Sequence, residues 1–322
     1  MTVVPKVELH VHLEGTAPPD LIRRLAERNG LPVPEGVFAA PDLFAYTDFL
    51  DFLKTYDKAA SVIRTGEDYR DITYEYLVSC AAEGAIYVEL TASPDHAKLV
   101  GLSDEEHLDG IARGIDDARA ESGIQGRILI SCVRNFGVEP ALRVARYAAE
   151  RPHPYVVGFS MAGDEENYPP AAYAEAFELA AAAGLGCTVH AGEWAGPESV
   201  RGGLKLPVSR IGHGVRSIED PALVEELAEL GTVLEVCPTS NVVLGIYPTY
   251  EEHPLPRLLD AGVQVTLGSD DPPYFGTTIG GEYALCAEHY AMDDEALRGI
   301  TRTAIEAAFC DEKLKQGLMQ TV

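Results

Sequence analysis

The sequence predicts an α/β fold, specifically a (β/α)8 TIM barrel with a long helical insertion after the first strand. Short β-rich apolar runs alternate with helix-forming segments, which is the pattern of parallel strands joined by crossover helices. The chain has 322 residues, a length that α/β barrels often occupy as one domain. The eight runs lie at residues 6–13, 86–92, 127–133, 156–161, 186–190, 210–213, 232–237 and 263–268. An open doubly wound sheet could be written from the same elements, but eight strands each followed by a helix favour a closed barrel formed by residues 1–322.

The segments between the runs support this topology. Good helix formers recur at amphipathic spacing in residues 171–183 and 221–230. The connection between the first two runs, residues 16–83, is too long for one helix. Within it, four apolar residues follow helical spacing: Phe49, Phe52, Leu53 and Tyr56. This face predicts either the buried side of an ordinary helix or an apolar cover over the barrel mouth.

The composition excludes several classes of protein. The formal charge of −26 would repel phosphate backbones, so we expect no nucleic-acid partner, and a neutral or cationic small molecule fits better than a polyanion. No apolar run reaches the roughly 20 residues that span a bilayer, and residues 1–4 lead into no signal-peptide core. The six cysteines form no Cys-x-x-Cys pair and are expected to be buried free thiols. We therefore predict a cytoplasmic protein without membrane spans. Assembly into a homo-oligomer is possible on these observations.

Groups that bind metals or move protons lie at the ends of four predicted strands, where barrels of this type assemble their chemistry. The first run places His10 and His12 on the same side, since side chains alternate along a strand. The fifth, sixth and eighth runs end in the other members of the set: His190, Glu193, His213, Asp270 and Asp271. Any one of these could cap a helix or be a hydrogen-bonded core histidine. Their coincidence at four strand ends predicts a catalytic site.

The donor types indicate which metal such a site would bind. Three imidazoles and one carboxylate suit Zn2+ or a similar divalent ion, and they leave room for water in a catalytic site. Binuclear barrels usually bridge their ions with a carbamate formed on a lysine. The fourth run, residues 156–161, contains no lysine, so we expect a single ion.

Together these residues resemble the adenosine deaminase family of the amidohydrolase superfamily, over nearly the full chain. The most specific motifs lie at residues 10–15, 161–165, 190–193, 210–214, 235–241 and 269–272. Each motif is short, but their order and their placement at strand ends agree with the family. The other class of zinc deaminases, which uses His-x-Glu with Pro-Cys-x-x-Cys, is excluded because neither motif occurs.

The resemblance implies a role for each residue. One Zn2+ per chain, which lowers the pKa of bound water to about 7, would be held by His10, His12, His190 and Asp270. His213 would orient that water and help to remove its proton, and Glu193 would protonate the purine ring nitrogen beside the reacting carbon. Asp271 would bind the imidazole-ring nitrogen of the purine, while the backbone N–H of Gly163 would contact the opposite ring. Ammonia would then leave.

The resemblance implies a purine nucleoside or base as substrate, and the choice between them depends on Glu14. Well-studied adenosine deaminases carry an aspartate there that helps to bind ribose, whereas adenine deaminases, aminodeoxyfutalosine deaminases and some bacterial adenosine enzymes resemble this chain. Residues 194–200 look like the nucleoside enzymes, residues 269–278 are similar to the aminodeoxyfutalosine branch and some bacterial adenosine enzymes, and Thr91 stands where many relatives carry an arginine. We rank adenosine or 2′-deoxyadenosine first, aminodeoxyfutalosine second and free adenine third.

Two other classes stay open. An amidohydrolase of a lactone or phosphoester would use the same histidines, but it would not need the pair formed by Glu193 and Asp271. A non-catalytic metal-binding scaffold descended from such an enzyme would have lost an acid, a base or a ligand, whereas every expected position is filled. The complete set therefore favours an active deaminase.

Overall fold

A computed structural model describes residues 4–150 and 153–322 of the chain. Residues 1–3, on which part of the signal-peptide prediction rests, lie outside the described residues. The strands are β1 (Lys6–Glu8), β2 (Phe38–Ala40), β3 (Leu43–Phe44), β4 (Ala85–Ala92), β5 (Gln125–Val133), β6 (Val156–Ala162), β7 (Gly186–Ala191), β8 (Arg210–His213), β9 (Val233–Val236) and β10 (Val265–Leu267). The helices are α1 (Pro19–Arg28), α2 (Phe49–Ala60), α3 (Gly66–Ala82), α4 (Pro94–Leu99), α5 (Asp104–Ser122), α6 (Val138–Glu150), α7 (Ala174–Ala182), α8 (Pro197–Gly203), α9 (Pro221–Leu230), α10 (Pro238–Val243), α11 (Leu255–Asp260), α12 (Pro272–Phe275), α13 (Ile279–His289), α14 (Asp294–Ala307) and α15 (Glu312–Met319).

Eight of the strands form a parallel barrel in which neighbours in the sheet are also neighbours along the chain, from β1 through β4 to β10. The barrel closes where the segment after β1 meets the end of β10. There Val11 forms a parallel bridge with Asp270, whose carbonyl oxygen accepts from the backbone nitrogen of His12 at 3.0 Å. All eight predicted runs are confirmed as strands, and so is the (β/α)8 barrel.

The first predicted strand is interrupted after Glu8, because the segment that follows it pairs with two different neighbours. Strand β1 pairs with β4 only as far as Glu8, after a shift of register between Lys6 and Val7. Beyond it, Val11 turns to Asp270 while His12 bridges Thr91, so the chain contacts both neighbouring strands at isolated positions. The closing seam of the barrel therefore carries the His-x-His motif.

The insertion after the first strand contains helices α1, α2 and α3, as predicted, and also the antiparallel pair formed by β2 and β3. Strands this short leave little alternation in a sequence, which explains why the pair was not predicted. Helix α2 begins at the Asp48 side chain, which accepts from the backbone nitrogen of Asp51 at 2.9 Å. This helix lies across the mouth of the barrel, where Phe52 packs against Tyr274 and Phe275.

Apolar side chains from the barrel and the surrounding helices form one large buried core. A second, smaller cluster packs Val7, Leu9 and Tyr87 against Ile305 and Leu318 near the C-terminus. The six cysteines are buried and unpaired, as predicted. In the part of the chain that the structure describes, none of the helices combines the length and apolar character needed to cross a membrane.

Candidate active site

The predicted metal ligands converge at the closing seam of the barrel. The Nε2 atom of His12 lies 3.1 Å from Nε2 of His190 and 3.3 Å from Oδ1 of Asp270. The same carboxylate oxygen lies 3.5 Å from Nε2 of His10, an atom that is buried without a hydrogen-bond partner. Strand topology thus brings together residues that are far apart in the sequence.

These donor atoms fit a tetrahedral divalent ion. Ligand atoms about 2.0–2.1 Å from Zn2+ lie about 3.4 Å from one another, close to the separations between these four side chains. Two imidazole nitrogens 3.1 Å apart also need a proton or a cation between them. Among the described residues, the candidate groups of ligands both include Asp270: one adds His10, His190 and His213, and the other adds His12 and Asp271.

Backbone strain is concentrated at this site. His213 and Asp270 have φ angles of 58° and 64°, in the left-handed backbone region that residues other than glycine rarely adopt. Asp270 is held by Ser240, whose hydroxyl donates to Oδ2 at 2.7 Å, and the preceding Ser269 donates through its backbone nitrogen to buried Glu8 at 2.8 Å. The fold therefore fixes the ligand in a conformation that an isolated loop would avoid.

A buried chain of charges supports His10 from inside the barrel. The Nδ1 atom of His10 lies 2.9 Å from Oε2 of Glu235. The other oxygen of Glu235 is 2.6 Å from Nε of Arg210, which also reaches Glu89 at 2.6 Å. The prediction gave these three supporting residues no role. The sequence did contain a signal for them, because a charged residue inside an apolar strand must find a partner in the core.

Glycine at position 212 allows the imidazoles to approach one another. A Cβ atom there would lie 2.9 Å from Cε1 of His10 and 3.2 Å from Nδ1 of His190. No side chain fits in that space without displacing one of these two imidazoles.

The predicted acid Glu193 lies beside His213, with 3.6 Å between Oε2 and Nε2 of the imidazole. Burial, together with the negative charges of Asp270 and Glu165, raises the pKa of Glu193 well above its usual range. A raised pKa favours the protonated carboxyl group, which is the form that a proton donor requires. His213 is also buried, and desolvation lowers its pKa to about 3, which keeps its imidazole neutral.

Glu165 anchors the loop that carries this acid. Its two carboxylate oxygens accept from four successive backbone nitrogens, those of Gly192, Glu193, Trp194 and Ala195. The prediction included Glu165 only as part of a family motif. The sequence could not predict that Glu165 faces the backbone N–H groups of this loop, because β6 and β7 become neighbours only in the barrel.

The two predicted purine contacts, Asp271 and Gly163, face the same cavity as three of the predicted metal ligands, which are His12, His190 and Asp270. Burial and the adjacent Asp270 charge raise the pKa of Asp271 well above its usual range, and its Oδ1 atom has no hydrogen-bond partner. Gly163 has a φ of 108°, and a Cβ there would lie 2.2 Å from Oδ1 of Asn135. Only glycine can occupy this position. Thr91 also lines the cavity.

Glu14 is buried at the side of the cavity and is surrounded by donors. Its Oε1 atom accepts from the Ser93 backbone nitrogen at 3.1 Å and from the Tyr69 hydroxyl at 3.3 Å, while the Tyr56 hydroxyl reaches Oε2 at 3.4 Å. Burial would raise the pKa of this carboxyl group, but the neighbouring imidazoles of His107 and His96 lower it overall. Glu14 is therefore an ionised acceptor.

Helix α2 covers the cavity, which decides the question left open for its apolar face. Phe49, Phe52, Leu53 and Tyr56 all line the cavity. Across the mouth, the Phe49 ring packs on Trp194 with 4.8 Å between centroids. The loop that carries Glu193 and the insertion thus meet above the site.

Comparison with known proteins agrees with this geometry. The family model described as adenosine deaminase matches residues 5–322. The chain is 49% identical over 314 residues to an adenine deaminase of Chelativorans sp. (strain BNC1), which covers 97% of this chain and 96% of that relative. It also resembles the crystal structure of adenine deaminase from Arthrobacter aurescens, with a TM-score of 0.90, 30% identity and coverage of 98% of this chain and 97% of that chain. An amidohydrolase from Burkholderia ambifaria with bound Zn superposes with a TM-score of 0.89 at 26% identity, covering 98% of this chain and 88% of that one.

Proposed function

The chain belongs to the adenosine deaminase family, so it hydrolyses the exocyclic amine of a purine, and we propose that this purine is free adenine. Metal-dependent deamination of an adenine-type compound follows from the family. The order of substrates predicted from the sequence placed adenine third, behind adenosine and aminodeoxyfutalosine. The adenine deaminases among the relatives, together with the surroundings of Glu14, favour moving adenine to first place.

The observation that carries this proposal is the ionised carboxylate of Glu14 in the same cavity as Glu193 and Asp271, two carboxyl groups whose pKa values lie well above their usual range. Free adenine presents three ring acceptors, N1, N3 and N7, and one ring donor, the N9–H group. In the protonated forms that their raised pKa values favour, Glu193 and Asp271 supply two donors, and the backbone N–H of Gly163 supplies the third. Glu14 supplies the single acceptor. Adenosine carries a sugar carbon on N9, so it has no proton for Glu14. A site built to bind an N–H group strongly rejects an analogue that lacks it.

The cavity mouth supports the same choice. Phe49, which lines the cavity, packs on Trp194 across its mouth, and a closed mouth favours a ligand as small as a free base. Residues 194–200 resemble those of nucleoside enzymes, but Trp194 packs against the covering helix and helix α8 begins at Pro197. That resemblance therefore gives no separate support for a sugar.

The residues of the chain supply a donor for the purine ring and partners that hold the reactants. We propose that His10, His12, His190 and Asp270 hold one Zn2+, which fits three nitrogens and one oxygen and acidifies water when bound. His213 orients the attacking water next to the reacting carbon. Glu193 donates its proton to N1, which makes the ring a better electrophile, and Asp271 and Gly163 hold the purine in plane. Water replaces the amine, so adenine and water yield hypoxanthine and ammonia.

A comparison of substrates tests the proposal. Purified protein loaded with Zn2+ is incubated with adenine, 9-methyladenine, adenosine and aminodeoxyfutalosine, and the ultraviolet change to the 6-oxo product is followed. We expect adenine to react best. We expect 9-methyladenine, which adds little bulk, to lose about 10- to 100-fold in kcat/KM, the value of one charge-assisted hydrogen bond. If adenosine or aminodeoxyfutalosine reacts as fast as adenine, the proposal that free adenine is the substrate is wrong.

A single substitution tests the assignment of the acid and separates an enzyme from a scaffold. Glu193→Gln preserves the shape of the side chain but removes the acidic proton. We expect kcat for adenine to fall about 10²- to 10⁴-fold while the protein still retains its metal. Glu198→Gln, at an exposed position on the neighbouring helix, is the matched control and should keep full activity. Unchanged turnover in Glu193→Gln would remove this residue from the mechanism.

Further properties rest on the sequence. We propose that residues 1–322 form one domain, that the enzyme is cytoplasmic, and that its ligand is a small purine instead of a nucleic acid. The family match over residues 5–322 supports the single domain, and the net charge of −26 supports a small purine over a nucleic acid. Assembly into a homo-oligomer stays a prediction.

A further inference from the structure

A line of three hydrogen bonds connects the backbone of helix α11 to His213. The backbone nitrogen of Leu255 donates to Nδ1 of His253 at 3.2 Å. The opposite nitrogen of that ring, Nε2, lies 3.1 Å from Oδ1 of Asn241. The amide nitrogen of Asn241 lies 3.3 Å from Nδ1 of His213. The three side chains are buried, and the proposed function gives no role to Asn241 or His253.

Each bond in this line determines the direction of the next. A backbone N–H group can only donate, so Nδ1 of His253 must accept. A neutral imidazole has one N–H group, which therefore lies on Nε2 of His253 and donates to the carbonyl oxygen of Asn241. The amide of Asn241 must then present its NH2 group to His213. His213 accepts at Nδ1, which leaves its proton on Nε2.

Burial favours the neutral form of both rings. It lowers the pKa of His253 to about 3, and the His213 side chain is just as fully enclosed. Neither ring has a carboxylate within hydrogen-bond distance of its Nδ1 atom, because Leu255 and Asn241 occupy those positions. The tautomer is therefore determined by the geometry of the donors.

We propose that Asn241 and His253 are positioning residues that hold His213 in the tautomer with its proton on Nε2. This nitrogen faces the site, 3.6 Å from Oε2 of Glu193 and 3.9 Å from Oδ2 of Asp270. His213 is then a hydrogen-bond donor that orients the attacking water through its Nε2–H group. In this tautomer it neither coordinates the metal nor accepts the proton of that water, which corrects the role in proton removal that the family resemblance implies for His213. The catalytic meaning of the proposal rests on the proposed function, but the tautomer does not.

The contrast with His10 shows how one cluster of histidines is divided into two roles. The Nδ1 atom of His10 faces the carboxylate of Glu235 at 2.9 Å, and a carboxylate needs a donor. The proton of His10 therefore lies on Nδ1, and the lone pair on Nε2 is free for a metal. His213 faces an amide donor and has the opposite arrangement. Distances alone group both residues as candidate ligands, whereas their partners assign only His10 to the metal.

The tautomer is measured directly by nitrogen NMR of the Zn2+-loaded protein, labelled with 15N in its nine histidines. The His213 signals are identified by their loss in His213→Gln. We expect a protonated, pyrrole-like signal for Nε2 and an unprotonated, pyridine-like signal for Nδ1. The reverse pattern, or the shift of a metal-bound Nε2, overturns the proposal. Because no substrate is present, a protein that shows the expected tautomer but fails to deaminate adenine refutes only the proposed function.

Three variants test whether the line of hydrogen bonds sets the tautomer. Asn241→Asp offers only acceptors, so we expect the His213 proton to move to Nδ1 and kcat to fall at least 10-fold with little change in KM. His253→Leu releases the Asn241 amide and should give a mixture of tautomers, whereas His253→Gln keeps an N–H donor and should restore the original pattern. His289→Gln, at the protein surface, is the control. If His213 in Asn241→Asp and His253→Leu keeps the original signals, Asn241 and His253 do not position it.

Discussion

Replacing Glu165 by glutamine is expected to weaken both the fold and the acid that this residue anchors. One carboxylate oxygen accepts from Gly192, and the other accepts from Glu193, Trp194 and Ala195 at 3.1, 2.9 and 3.2 Å. In Glu165→Gln an NH2 group must replace one oxygen. The fewest hydrogen bonds are lost when it replaces the oxygen that faces Gly192, which leaves the Gly192 N–H group unpaired. An unpaired buried donor costs about 1–3 kcal/mol, and the three remaining bonds lose their charge assistance. We expect the free energy of unfolding to fall by about 2–4 kcal/mol.

The same change is expected to alter the pH dependence of catalysis. After burial and Asp270, the negative charge of Glu165 is the next cause that raises the pKa of Glu193. Removing this charge lowers that pKa, so Glu193 loses its proton at a lower pH. The alkaline limb of kcat/KM for adenine should therefore move to lower pH, and kcat should fall more than KM rises.

Two measurements check this prediction. Urea unfolding is followed by the fluorescence of Trp194, which is the only tryptophan of the chain and belongs to the loop in question. Adenine turnover is then measured across pH. Glu166→Gln, at the exposed neighbouring position, is the control and should match the unsubstituted protein in both assays. Stability within about 0.5 kcal/mol of the original and an unmoved pH profile in Glu165→Gln would refute the anchoring role.

Three further predictions follow from the covering helix, the metal site and a buried carboxyl group. Phe49→Ala opens the contact with Trp194, so we expect kcat/KM for adenosine to rise several-fold relative to adenine; an unchanged ratio would show that this contact does not exclude the sugar. Removing the metal with a chelator should abolish turnover and lower the Tm, and added Zn2+ should restore both, with about 2.7 kcal/mol of stabilisation at a free concentration 100 times the Kd. Burial raises the pKa of Glu282 to about 7, so the folded state binds this proton more tightly than the unfolded state, and stability falls as the pH rises from about 4.5 to above 7. Glu282→Gln should remove this loss of roughly 3 kcal/mol, and equal pH dependence of urea unfolding in the two proteins would contradict it.

Much of the barrel and the metal site could be predicted because their determinants are local. The alternation of side chains along a strand puts His10 and His12 on one side whatever the rest of the chain does. Parallel strands joined by helices bring their C-terminal ends to one face, which is enough to predict that His190 and Asp270 approach them. The exact ends of the first strand were not predictable, since they depend on Val11 and Asp270 closing the barrel.

The state of each polar group depended instead on partners that are distant in the sequence. In the sequence, Glu14 raised only the question of a ribose contact. In the structure it accepts from Tyr69 of the insertion and from Ser93, which directly follows the second barrel strand. These donors and the imidazoles of His107 and His96 make it the ionised acceptor on which the proposed choice of adenine rests. No local pattern could have indicated them.

The sequence by itself determined the class of fold, the residues able to hold a metal and the kind of reaction, because strand period and side-chain chemistry are properties of short segments. The tertiary structure decided which histidine offers a lone pair and which offers a proton. Glu235 lies 225 residues from His10, and His253 reaches His213 only through Asn241. An imidazole takes its tautomer from the donor or acceptor that faces its other nitrogen, and only the folded chain brings that partner into contact.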